Sequence, residues 1–101
     1  MLAKCEALQE FMQQVSNGVS MPPDPDARMC LGYMWGVRDL YLMIDSETKK
    51  PIIGPCLSRT TTVRDVVRVF VDYARANPGS LDQPVLITVT PALHKAFPCR
   101  A

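Results

Sequence analysis

Apolar residues recur at intervals of three and four along most of the chain, and that period predicts helices. Leu2, Cys5, Leu8, Met12 and Val15 mark a first helix over residues 2–17, closed by Ser16-Asn17-Gly18. A second helix runs from about Ala27 to Ile44, with Asp26 as its cap. In a third, Val63, Val66, Val67, Phe70, Val71 and Ala74 form a narrow arc, with Arg64, Arg68, Asp72 and Arg75 away from it. Valine favours strand, but the period is helical, and Thr62 with Asp65 resembles a capping box. Asn77-Pro78-Gly79 ends this helix. Ser80-Leu-Asp-Gln83 is a capping-box pattern for a fourth helix, with Pro84 in the first turn. Val85–Val89 is β-like in composition, and Pro91 should kink the helix or restart it at Thr90. The expected fold is therefore all-α, a compact four-helix bundle-like single domain.

The second helix is unusual in being apolar on two sides. At about 100° per residue, Tyr33, Val37, Leu40, Tyr41 and Ile44 fall in one arc wide enough for the main core stripe. Leu31, Trp35 and Leu42 fall nearly opposite, so that side is either covered within the chain or offered to a partner. Gly32 and Gly36, on a flank between the stripes, weaken the helix and suggest a close neighbour. The connecting segments differ in kind. Met21-Pro-Pro-Asp-Pro25 predicts an extended connector. Residues 45–59 are the longest irregular stretch, with Lys49, Lys50, Ile52 and Ile53 near its middle.

Composition narrows the function classes. With 101 residues, one domain is expected, and 48% hydrophobic residues can supply a core. A net charge of +1 gives no pull toward nucleic acid or an anionic membrane surface. No run approaches the roughly 20 apolar residues of a membrane helix, and no signal peptide is visible in this chain. Cysteines at 5, 30, 56 and 99 show no metal-type or redox-type spacing, and leave two disulfides and four buried thiols equally open. His94 is the only histidine and has no neighbour suited to a nucleophile–base pair. Asp24 and Asp26 suit turns and caps, Asp45 and Glu47 a solvated loop, and the arginines of the third helix a solvated face. No glycine-rich phosphate loop exists. The chain is therefore expected to be no enzyme, to hold no metal or cofactor, and to act by contact.

A set of motifs supports a more specific reading. Cys30-x-Gly-Tyr-x-x-Gly-Val-x-Asp39, Cys56, Thr62-x-x-Asp65, Tyr73, Asn77-Pro78 and Ala92-Leu-x-x-Ala-Phe-Pro-Cys99 occur in one order. In that order they resemble the Rap/Tai family of type VI secretion immunity proteins, over about residues 28–99 and more weakly at Leu2-x-x-Cys5. Asp65, Ala74, Asn77 and Pro91 depart from the family pattern. The resemblance implies a helical periplasmic protein, its signal peptide removed, that binds and inhibits a peptidoglycan amidase effector. It also shifts the cysteines toward two disulfides, since the periplasm is oxidising. Given two, the antiparallel third and fourth helices put Cys56 with Cys99 first, and Cys5 with Cys30 follows by elimination.

The expected mechanism is a rigid helical platform from which a loop, 46–54 or 77–83, plugs the effector's cleft. The candidate contact residues are Lys49, Lys50, Ile52, Ser80 and Asp82, together with Leu31, Trp35 and Leu42, which serve either the effector or a homodimer. The rival readings are a small periplasmic helical chaperone or adaptor, and a structural dimerisation protein. Nucleic acid and membrane are not expected partners.

Overall fold

The computed structural model describes residues 1–14, 21–47 and 56–98, the side chains of 44–47 excepted. Four α-helices follow in order: α1 (Leu2–Gln14), α2 (Pro25–Glu47), α3 (Val63–Ala76) and α4 (Val85–Ala96), with a 3₁₀ segment, η1 (Pro78–Asp82), between the last two. There is no strand among the described residues, so the all-α expectation holds. The β-branched run at 63–71 is helical, because its period of threes and fours lets one face be buried whole.

That face organises the fold. Val66, Val67, Phe70, Val71 and Ala74 are all buried. They meet Cys5 and Leu8 of α1, Met34 of α2, and Val89 and Leu93 of α4 in one hydrophobic cluster. α3 packs against each of the other three helices, and α1 packs against α2. α3 starts where expected: the Thr62 hydroxyl accepts the Asp65 N–H at 3.1 Å, and the Asp65 carboxylate accepts the Thr62 N–H at 3.0 Å. Its arginines are less solvated than expected, since two reach α1. Arg75 donates twice to Glu6, at 2.6 and 2.9 Å, and Arg64 donates to the Met12 carbonyl.

Several element boundaries differ from expectation, and α2 runs on to Glu47, so Asp45 and Glu47, expected in a loop, are helical. α2 begins at Pro25, and the Asp24 carboxylate caps it by accepting the Asp26 N–H at 3.0 Å. Asp26 instead pairs with Lys4 of α1. The Ser80–Gln83 pattern does not start a helix, because 78–82 closes as a 3₁₀ turn and Pro84 precedes α4. Pro91 lies inside α4 without restarting it, and Thr90 shares a hydrogen bond with the Tyr41 hydroxyl at 2.6 Å instead of capping.

Two disulfides were expected. Among the described residues Cys56 is disulfide-bonded, and one bridge is seen whole, Cys5–Cys30. Both of its residues are fully buried, and it ties α1 to α2. Among the described residues no cysteine is free, and Cys99 lies outside them.

Candidate functional site

Titratable chemistry is dispersed over this fold. No group of three or more His, Cys, Asp and Glu side chains gathers among the described residues. His94 is exposed near the end of α4, as a surface residue would be. The concave places are shallow. The groove beside α3 and α4, about 400 Å³, is lined by Asp72, Tyr73, Asn77 and Lys95 among others, with no convergent polar set of the kind that fixes a small ligand. The features that stand out are exposed apolar side chains.

The first is the ridge formed by η1 and the start of α4. Leu81 is 47% exposed, and Leu86 and Ile87 on the following turn are 44% and 58% exposed. Beneath them the backbone is tied down. Asn77 donates its side-chain N–H to the Tyr73 carbonyl, and the Ser80 hydroxyl donates to the Asn77 carbonyl at 2.6 Å. The Thr88 hydroxyl, buried under the ridge, donates to the Ser80 carbonyl at 2.9 Å. Of the residues expected here, Ser80 is half-buried and forms part of this brace, while Asp82 is exposed. The apolar tips were missed in the sequence. Leu81 lay inside the pattern read as a helix cap, and Leu86 and Ile87 inside the run noted as β-like, whereas here η1 and the start of α4 leave all three exposed.

The second feature is the outer side of α2. Trp35 is exposed, as one of the two expected outcomes had it, but the stripe assigned with it divides. Leu31 is 8% exposed and lies in the core, and Leu42 is half-buried against the core. Met29, Leu40 and Met43 are exposed instead. The inward line is Ala27, Cys30, Met34, Val37 and Tyr41, all buried. The disulfide at Cys30 fixes that rotation, turning Leu31 inward and Leu40 outward. The spacing of three and four through Cys30 was the signal that would have found it. Gly32 and Gly36 face outward, and a Cβ built on either would meet nothing within 4 Å. Their neighbour is therefore not in the described part of this chain. Lys49, Lys50 and Ile52 lie outside the described residues.

Two exposed apolar patches thus lie on the helical body. The sequence comparisons add the kind of contact. The family model for Rap1a immunity proteins matches residues 2–99, nearly the whole chain. The chain belongs to the Rap1a immunity family. Immunity proteins bind a cognate effector and inhibit it, so this Rap1a protein is an inhibitor and not an enzyme. No curated protein and no solved structure matches it. No helix among its described residues is long and apolar enough to cross a membrane.

Proposed function

We propose that this Rap1a protein protects the periplasm by binding a type VI secretion peptidoglycan amidase effector and closing its substrate cleft with the ridge at residues 77–87. The observation that carries the reading is the braced exposure of Leu81. An apolar tip held by Asn77, Ser80 and Thr88 loses little freedom on docking, so more of the contact energy appears as affinity. Leu86 and Ile87 extend the apolar surface, and Asp82 and Gln83 give it a polar rim, the pattern of an interface core with its border. Lys49, Lys50 and Ile52 remain proposed as a second contact.

The periplasmic assignment draws support from the Cys5–Cys30 bridge, since structural disulfides persist in oxidising compartments. A second bridge, Cys56–Cys99, belongs to the same proposal. The Cys56 N–H donates to the Phe97 carbonyl at 3.0 Å, which brings the chain before α3 beside the end of α4.

The test is peptidoglycan hydrolysis by a purified type VI amidase effector, taken from beside this protein's gene where one is encoded there, with and without the immunity protein. Inhibition at a one-to-one ratio is expected, and L81D is expected to abolish it while the melting temperature holds, because Leu81 lies outside the core. Full inhibition by a folded L81D protein would remove the ridge from the mechanism, and no inhibition by the wild type would remove the amidase.

A further inference from the structure

We propose, on the reading of the ridge as the effector contact, that the Ile87 main-chain carbonyl is its polar anchor, held open by Pro91 to accept a hydrogen bond from an N–H or O–H group of the effector. An α-helical carbonyl accepts from the N–H four residues on. For Ile87 that residue is Pro91, inside α4, and proline has no N–H to give. The proline ring crowds the same carbonyl, which leaves the oxygen outside the helical ladder.

Two hydroxyls lie close enough in sequence to fill such a vacancy, and both are engaged elsewhere. Thr88 donates to the Ser80 carbonyl at 2.9 Å, and Thr90 shares its bond with the Tyr41 hydroxyl at 2.6 Å. No side chain among the described residues donates to the Ile87 carbonyl. The N–H of the same residue is used, on the Pro84 carbonyl at 2.9 Å. Ile87 is more than half exposed, next to Leu86 and on the same ridge as Leu81, so the open acceptor lies on a turn that carries apolar tips.

That combination selects among partners. A carbonyl at the surface is met by water while the protein is free. A partner that lays apolar atoms over the ridge expels the water, and the oxygen then goes unpaired unless the partner brings a donor. A buried acceptor left empty costs more than the bond contributes when it is made. Leu81, Leu86 and Ile87 attract apolar surface of any kind, while the carbonyl rejects one that lacks an N–H or O–H at this place.

Filling the vacancy from within should therefore stabilise the chain and weaken its contact, a pair of signs that a purely structural role of Pro91 does not give. Pro91→Ala supplies the missing N–H and removes an interior proline, so the thermal midpoint should rise. Its binding to the same purified amidase effector, measured by calorimetry, should weaken by about three- to tenfold, the range of one lost hydrogen bond. Pro91→lactic acid, an ester link with the shape of alanine, takes the N–H away again without restoring the ring, and should bind like the wild type. Equal weakening by alanine and lactic acid would assign the effect to the bend of α4 and overturn the proposal. So would a Pro91→Ala protein that melts lower or binds as tightly as the wild type. If L81D also leaves inhibition intact, the ridge falls as well; if only Pro91→Ala does, the carbonyl falls alone. A wild type that binds no amidase removes the amidase and the anchor together.

Discussion

At Thr62 a single hydroxyl decides where the central helix starts. It satisfies one of the first N–H groups of α3, and Asp65 answers it on the Thr62 N–H. Thr62→Ala should lower stability by about 1 kcal/mol, seen as a fall of roughly 4–8 °C in the thermal midpoint for a chain of this size. Phe70 sits deeper, 2% exposed at the meeting point of the helices. Phe70→Ala should cost about 3–5 kcal/mol through lost burial and the cavity left behind, a large share of a small protein's stability, measurable as the denaturant midpoint. The capping box was legible because both partners are local. The Ser80–Gln83 pattern has the same spacing of hydroxyl and acceptor side chains and forms no such cap, since residues 78–82 close as a 3₁₀ turn and Pro84 precedes α4. A motif that depends on four residues is decided by the residues on either side of it.

Among the elements, α3 was readable nearly in full and α2 only in part. α3 carries one apolar arc and one charged arc, so its inward side has a single solution. α2 carries two apolar sides, and the inward one is the line through Ala27, Cys30, Met34, Val37 and Tyr41, a spacing of three and four that the sequence reading passed over. The expected long-range bond, Cys30 to Cys5, is consistent with that choice. The ridge was hidden for a different reason: its apolar residues, at 81, 86 and 87, share no helical period, and they stand out only once 78–82 closes as a 3₁₀ turn before α4. The brace under that turn gives a prediction of its own. Thr88→Val keeps the shape of α4 and removes the hydrogen bond to the Ser80 carbonyl. Amide exchange at Ser80 and Gln83 should then speed up, and inhibition should weaken more than global stability does.

The whole molecule is held by one apolar cluster and by ties between segments far apart in the chain. The Cys5–Cys30 bridge spans 25 residues. On the chain-entropy account it contributes about 3.5 kcal/mol by restricting the unfolded chain. Replacing both cysteines with serine should lower the unfolding free energy by that order, measured by denaturant titration. Arg75 to Glu6, Arg64 to Met12 and Lys4 to Asp26 join α1 to its neighbours on the outside. These exposed pairs are individually weak, and salt should change stability little.

Both sulfurs of that bridge are sealed from solvent. An oxidant can reach them only while the helices around them are still apart, so the crosslink must be made before α1, α2 and α3 close together. Once the body has closed, a reductant is shut out by the same wall. The molecule is thus committed at its birth: whatever compartment supplies the oxidant chooses when the shield exists, and afterwards it persists without upkeep.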